Sequence, residues 1–78
     1  MRLLFHDNKK GGREQLVPVA DLVRAFRESK HNDERYRFDR AFSTFLGEYE
    51  IDGLRSYDPL TVDQISAIWD EYCQQEES

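Results

Sequence analysis

The sequence contains a single cysteine, Cys73, and it lacks the residue spacings that bind metals. One thiol cannot form a disulfide within the chain, and without a second cysteine it is a poor zinc donor. The two histidines, His6 and His31, show no His-x-x-x-His or carboxylate spacing that would make a metal site. We therefore expect no internal disulfide, no metal and no cofactor.

Long hydrophobic runs are also absent. No stretch of about 18 apolar residues occurs, so the sequence predicts no transmembrane helix. The N-terminal residues do not include the apolar region of about 7–15 residues that marks a secretory signal. We expect a cytoplasmic protein that does not contact a membrane.

Motifs of catalytic sites are missing as well. Ser43, Ser56 and Ser66 lack the Gly-x-Ser-x-Gly context of a nucleophilic serine. Cys73 falls near the C-terminal end of a predicted helix, where the helix dipole disfavours the thiolate that a nucleophile needs. A chain this short also seldom forms a pocket of several hundred Å³. We therefore expect a protein that is not an enzyme.

Length and composition favour one small folded domain over residues 1–78. A chain of 78 residues buries only a little over ~60% of the surface that its unfolded form exposes, so we expect a thin core. Its content of 38% hydrophobic and 13% aromatic residues is that of a globular chain, because a disordered chain lacks the aromatic side chains that offset the entropy of ordering.

Charge is distributed unevenly along the chain. Residues 1–47 carry ten Lys or Arg and seven Asp or Glu, whereas residues 48–78 carry one and nine. The two parts have net charges of +3 and −8, within a total of −5. Such a split predicts that the two parts meet different partners or attract each other. The negative total argues against non-specific binding to nucleic acid.

The N-terminal residues predict a β-hairpin. Short apolar runs within residues 2–7 and 13–17 flank a turn-rich stretch at 8–12, which is typical of two strands around a glycine-containing loop. Pro18 suits the first position of a following helix, because an N–H there would have no partner.

Three helices are predicted over residues 18–30, 33–49 and 61–75. Residues 32–34, Asn-Asp-Glu, provide an N-cap and a favourable first-turn carboxylate for the second helix. The predicted fold class is α+β, mostly α, with the short hairpin packed on a three-helix core. Apolar residues at helical spacing predict the core sides of the first two helices: Val19, Leu22, Val23 and Phe26, then Phe38, Ala41, Phe42, Phe45, Leu46 and Tyr49.

The third helix has the clearest start signal. Thr61 and Gln64 have the spacing of a capping box, and Leu60 can staple onto Ile65. Residues 50–59 before it are expected to form a connection, and residues 74–78 to fray. The apolar stripe predicted for this helix is Val62, Ile65, Ile68, Trp69 and Tyr72, with Cys73 at its edge.

The sequence DERYRFDRAF, residues 33–42, allows two interpretations. Arg37 and Arg40 could contact phosphates while Tyr36 stacks on a base. Alternatively, the phenylalanines are core and the arginines form solvated ion pairs with the interleaved acids. The second interpretation fits better, and it leaves Tyr36, Arg37 and Arg40 as the edge of a protein contact.

The loop NKKGGR, residues 8–13, is the most basic segment. Lys9, Lys10 and Arg13 could contact an anion or nucleic acid, with loop amides around the anion. The simpler interpretation is a hairpin turn in which glycine supplies a positive φ and the lysines keep the tip soluble.

The acidic C-terminal part suggests a second binding surface. Asp63, Asp70 and Glu71 lie on the outer side of the predicted third helix, and could imitate the charge of a phosphate backbone in the groove of a basic partner. The alternative is that these charges only maintain solubility. The same part holds further acids that could join the patch: Glu48, Glu50, Asp52, Asp58, Glu76 and Glu77.

Together these patterns favour a small non-enzymatic interaction protein. We expect it to bind a larger protein or complex as a regulator, adaptor or inhibitor, by analogy with the small accessory products of phages and mobile elements. The alternative is a nucleic-acid-binding regulator that uses the basic N-terminal part. A homodimer that buries surface aromatics between two copies is a third possibility.

Overall fold

The chain forms two strands and three helices in the order β1 (Arg2–His6), β2 (Glu14–Pro18), α1 (Val19–Glu28), α2 (Phe38–Glu48) and α3 (Val62–Glu77). This architecture, α+β and mostly helical, confirms the predicted fold class.

The structure is a computed structural model, and it describes residues 1–7, 9, 11–33 and 35–77, with only the backbone of the last residue. The predicted roles of Asn8 and Lys10 in the loop, of Glu34 in a first helical turn and of Ser78 in the tail lie outside the described residues.

The hairpin is antiparallel and contributes one face to the core. Leu3 pairs with Val17 and Phe5 pairs with Gln15. Because side chains alternate along a strand, Leu3, Phe5 and Val17 are buried, whereas Leu4 between them is exposed. The strand pairing agrees with the predicted hairpin.

Helix α1 buries the four residues that its spacing predicted, but it begins one residue later and ends two residues earlier than expected. Pro18 is extended, with φ −60° and ψ 136°, and it pairs with Arg2 as the last residue of β2. The helix ends where the Ser29 hydroxyl donates to the Phe26 carbonyl at 2.7 Å and accepts the His31 amide at 3.2 Å. These two bonds replace the next helical turn.

Helix α2 begins at Phe38, five residues after the predicted start. The predicted N-cap is wrong because Asp33 uses its carboxylate locally: Oδ1 accepts the Arg35 amide at 3.0 Å, and Oδ2 pairs with the Arg35 guanidinium at 2.8 Å. Such bonds offer the backbone an alternative to a helix. Arg37 precedes the first helical residue and makes no side-chain cap bond. From Phe38 onward the predicted core side is confirmed, with Ala41, Phe42, Phe45 and Leu46 buried, and Phe38 and Tyr49 partly buried.

The connection after α2 contains a tight turn that the sequence analysis missed. Ile51 and Leu54 exchange both backbone hydrogen bonds around Asp52 and Gly53, whose φ angles are 49° and 80°. Two successive positive φ values are typical of a type I′ turn, and Asp-Gly is a preferred sequence for it. Arg55 then exchanges two backbone hydrogen bonds with His6 at the end of β1. Residues 54–55 thereby extend the edge of the hairpin.

The capping box of α3 is confirmed, but its predicted apolar stripe is partly wrong. The backbone amide of Gln64 donates to the Thr61 hydroxyl at 3.1 Å, and the backbone amide of Thr61 donates to the Gln64 side-chain oxygen at 2.9 Å. Ile68 is fully buried, whereas Val62 is 85% exposed and Trp69 is 45% exposed. A step of about 100° per residue turns Trp69 away from the side that Ile68 buries. Helix α3 packs on α1. The side of α3 that is buried is narrower than the apolar stripe that the sequence predicted for it.

One cluster of buried side chains joins the hairpin, the helices and the turn at 51–54. Phe26 is at its centre, with its ring 5.2 Å from Phe42 and 5.5 Å from Phe45 between centroids. At the far end of α3, Gln75 Nε2 donates to the Ala20 carbonyl at 2.9 Å. This bond fixes the last turns of α3 against α1, and the fraying expected for residues 74–78 stays a prediction.

Candidate functional site

Trp69 lies at the edge of the aromatic core and is half exposed. Its ring is 4.9 Å from the ring of Phe38, in an edge-to-face arrangement, and 5.5 Å from the ring of Tyr72, nearly parallel at 12°. These two neighbours hold one side of the indole and leave the rest accessible to a partner.

A hollow of about 330 Å³ opens beside Trp69, between the segment that precedes α2 and the C-terminal half of α3. Tyr36, Phe38, Trp69 and Tyr72 supply the aromatic part of its wall. Tyr36 is 61% exposed and makes no ring contact within the described part of the chain. Its volume of about 330 Å³ is one that so short a chain was expected to form only seldom.

Apart from the tyrosines, the polar residues that line the hollow are the neutral Asn32 and two acids, Asp33 and Glu76. Asn32 Oδ1 accepts the Tyr72 hydroxyl at 3.0 Å, which fixes the orientation of that ring. The guanidinium of Arg35 holds the pKa of the Asp33 carboxyl below its usual value, and Asp33 raises the pKa of Arg35 in return. Glu76 also lines the hollow, and no ion pair to it occurs among residues 1–7, 9, 11–33 and 35–77.

A second hollow, of about 440 Å³, lies on the other side of Trp69. Its lining includes Arg37, Val62 and Ile65, and Arg37 Nε is 3.5 Å from the Asp39 carboxylate. Aromatic and aliphatic side chains thus continue across both hollows. We call this area the Trp69 surface, and it consists of Tyr36, Phe38, Val62, Ile65, Trp69 and Tyr72.

Arg27 of α1 supports this area from beneath. Its guanidinium carbon lies 3.9 Å from the centre of the Tyr72 ring, and Nη2 donates to the Tyr72 carbonyl. Tyr72 therefore has a cation on one side, Trp69 stacked beside it, and its hydroxyl held by Asn32. A ring with these three contacts is a rigid part of the surface.

The structure brings the three residues predicted around DERYRFDRAF to the margin of the Trp69 surface. Tyr36 lines the first hollow, and Arg37 lines the second. Arg40 lines two neighbouring hollows, one with Tyr36 and one with Arg37. All three side chains are exposed.

The three predicted acidic residues of α3 differ in exposure, and their role in binding a partner stays a prediction. Asp63 and Asp70 are exposed, and their spacing of seven residues places them along one side of the helix. Glu71 is half-buried, accepts the Gln75 side-chain amide at 3.1 Å, and lines a hollow that Asp70 shares with Met1 at the start of the chain.

Two of the loop amides that could have bound an anion bind the carboxylate of Asp7 instead. Asp7 accepts the Lys9 amide on Oδ1 and the Arg13 amide on Oδ2, each at 3.1 Å. Gly11 has a φ of 73°, as the turn interpretation requires. The Arg13 guanidinium donates to the Asp52 carbonyl at 2.6 Å. Lys9 is exposed, Lys10 lies outside the described residues, and an anion contact by these side chains stays a prediction.

Within the described ranges, no group of three or more His, Cys, Asp or Glu side chains could hold a metal ion. In the same part of the chain, no helix is long and apolar enough to cross a membrane.

Of the Trp69 surface, the sequence predicted only Tyr36 as a binding residue; Trp69 and its neighbours were assigned to the core sides of helices, and Arg27 was not selected at all. A signal for Trp69 was available, because Val62 and Trp69 are seven residues apart and share their side of α3 with Ser66, a polar residue. No local pattern could select Arg27, because its contact with Tyr72 spans 45 residues of sequence.

Comparison with known protein families, curated proteins and solved structures gives no match, so the geometry of the site carries the functional argument alone.

Proposed function

We propose that this chain is a small non-enzymatic binding protein that docks through the Trp69 surface onto a larger protein or complex. The observation that carries the proposal is the exposure of Trp69, Tyr36 and Val62 around two adjoining hollows. Clustered exposed apolar side chains mark interaction sites, and Trp, Tyr and Arg are the residues that most often dominate binding energy. Such a protein acts as a regulator, adaptor or inhibitor of its partner.

The arginines at the margin fit this function. Arg37 and Arg40 are exposed beside the aromatic residues, and Arg37 is within reach of Asp39. A polar, charged rim around an apolar centre is the usual anatomy of a protein interface. These two side chains would contribute orientation and specificity more than affinity.

The exposed acids of α3 give the proposal an electrostatic component. Asp63 and Asp70 follow Val62 and Trp69 directly in the sequence, so acidic side chains border the Trp69 surface. Together with the net charge of −5, they would speed encounters with a basic partner. The same charges support an inhibitor that imitates nucleic acid in a basic groove, with Glu71 contributing less because it is half-buried.

The nucleic-acid-binding alternative has weaker support. The Lys9 and Arg13 amides already bind Asp7, and the Arg13 guanidinium binds the Asp52 carbonyl. Phosphate binding depends on available cations, and the total charge is negative. A gel-shift series at low salt tests the alternative directly.

The proposal is tested by affinity purification from the native host with wild-type protein and the Trp69→Ala and Tyr36→Ala variants. Proteins that co-purify are identified by mass spectrometry, and each is then titrated as a purified protein. We expect one partner to be retained by wild type and lost by both variants. Tyr36→Ala is included because Tyr36 lies outside the helices and the buried core, so its removal leaves the fold intact.

Tyr57→Ala is the matched control. Tyr57 is 48% exposed, close to the exposure of Trp69, and its ring contacts His6 away from the Trp69 surface. Equal loss of the partner in all three variants, or in none, would contradict docking through the Trp69 surface. Light scattering of the wild-type protein alone tests the homodimer alternative, in which a second copy would occupy this surface.

A further inference from the structure

We propose that the hollow between Tyr36 and Trp69 takes the guanidinium of an arginine side chain from a basic segment of the partner. This inference rests on the proposed function, since it names the group that the Trp69 surface recognises. The hollow has aromatic walls, a carboxylate that forms no ion pair with the described residues, and a volume of about 330 Å³, enough for a single side chain.

The aromatic walls favour a cation. Ring faces are electron-rich, and a guanidinium or ammonium within about 6 Å of a ring centre is attracted to them, most strongly by tryptophan. Trp69 and Tyr36 both line the hollow with exposed ring area. A neutral aliphatic side chain would gain burial there but not this electrostatic attraction.

The charge of the lining favours the same ligand. Glu76 and Asp33 are its two acidic residues, and none of the described lining residues is basic. Asp33 is already paired with Arg35, whereas Glu76 has no described ion pair and is available. A carboxylate beside an aromatic wall can accept two parallel hydrogen bonds from a guanidinium while the rings cover its faces.

Arginine fits better than lysine because its cation is flat. The guanidinium stacks on ring faces and is more weakly hydrated than an ammonium, so less hydration is lost on entry. The protein already contains one such contact, in which the guanidinium of Arg27 lies 3.9 Å from the centre of the Tyr72 ring. The proposed ligand repeats that arrangement on the exposed side of the same aromatic group.

Trp69 is the only tryptophan in the chain, so its fluorescence reports on the two hollows that it lines, and Glu76 lines the first of them but not the second. The probe is the blocked tripeptide acetyl-Gly-Arg-Gly-amide, titrated against wild-type protein. The matched probes carry citrulline, a neutral isostere of arginine, or lysine, with ionic strength equalised by salt. We expect a saturable change with the arginine probe, a weaker response to lysine, and half-saturation at about tenfold higher concentration for citrulline. Equal responses to arginine and citrulline, or no saturable response to arginine, would overturn the proposal.

Two carboxylate variants complete the test. Glu76→Gln removes the available charge without changing side-chain size, and Glu28→Gln does the same on α1, outside the lining of the hollow. We expect Glu76→Gln to weaken the arginine probe about tenfold and Glu28→Gln to leave it unchanged. If Glu76→Gln keeps both the arginine response and the captured partner, the arginine inference fails. Docking through the Trp69 surface would still stand in that case, provided that Trp69→Ala loses the partner.

Discussion

Asp7 and Gly12 depend on each other in the loop that joins the strands. The Asp7 carboxylate accepts the amides of Lys9 and Arg13, and it occupies the space next to Gly12. A Cβ at Gly12 would lie 1.6 Å from Asp7 Oδ1, closer than any non-bonded contact allows. Any larger residue at this position must therefore displace the Asp7 carboxylate, and the φ of Gly12 is not the reason.

Gly12→Ala should lower the melting temperature by several degrees, because the new methyl group displaces Asp7 and breaks both of its amide hydrogen bonds. The matched control is Gly47→Ala in α2, where an added Cβ meets nothing within 4 Å. That control should stabilise the fold by roughly 0.5–1 kcal/mol, since alanine is the better helix former. Circular dichroism melts compare the three proteins. Equal melting temperatures for wild type and Gly12→Ala would contradict the role of Asp7.

The Asp7 hydrogen bonds also predict a dependence of stability on pH. The amides of Arg13 and Lys9 hold the pKa of the Asp7 carboxyl below its usual value of 3.8. The ionised form is favoured by folding, so its contribution is complete above pH 3.8 and is lost as the pH falls through the folded-state pKa.

We therefore expect wild type to be more stable than Asp7→Asn near neutral pH, and the difference to shrink below pH 3.8. Denaturant unfolding at a series of pH values measures it. Asp58→Asn is the control, because Asp58 is exposed and accepts no hydrogen bond from the described residues. A difference that stays constant through the acid range would show that Asp7 contributes no charge-dependent stability.

At the scale of elements, α3 is fixed at both of its ends. The capping box of Thr61 and Gln64 holds its first turn, and Gln75 bonds to the Ala20 carbonyl of α1 near its last. Between them Ile68 is fully buried, and Trp69 and Tyr72 contact the aromatic core through Phe38. The terminal contacts thus add to the aromatic contacts that position Trp69.

Thr61→Ala should destabilise the protein by about 1 kcal/mol, because it leaves the Gln64 amide without its acceptor. For a domain of this size, that change lowers the melting temperature by about 4–8 °C. Ser66→Ala, at an exposed position of the same helix, is the control and should change it little. If both variants have the melting temperature of wild type, the capping box does not stabilise α3 in solution.

Elements whose signals are local were predictable from the sequence. Helix α1 and the capping box of α3 depend on spacings within a few residues, and both agree with the structure. The start of α2 was not predictable in the same way, because Asp33 has two local uses, as a cap or as a partner of Arg35, and the pattern does not decide between them.

The candidate site was predictable only at its margin. The sequence predicted Tyr36 to be exposed on the polar side of a helix, and Tyr36 is exposed although it precedes α2. The exposure of Trp69 depends on how much of α3 the other elements cover, and that is set by contacts between distant segments. A stripe of apolar residues indicates which side of a helix is buried, but not how wide the buried side is.

At the scale of the whole molecule, apolar and acidic surfaces adjoin. The Trp69 surface lies between the segment before α2 and α3, and Asp63 and Asp70 follow its residues on α3. A symmetric dimer through this area would bring the same acidic side chains close to their copies. Repulsion between two such molecules therefore favours a different, basic partner, and light scattering should find a monomer.

The central claim is that Trp69 anchors a protein partner. It is tested most directly by the dissociation constants of the purified partner for wild type, Trp69→Ala and Tyr57→Ala, with melts to verify that each variant is folded. A central aromatic anchor contributes about 2 kcal/mol or more, so Trp69→Ala should weaken binding by about 30-fold or more. Tyr57→Ala should bind as wild type does. A folded Trp69→Ala variant with wild-type affinity would contradict the account.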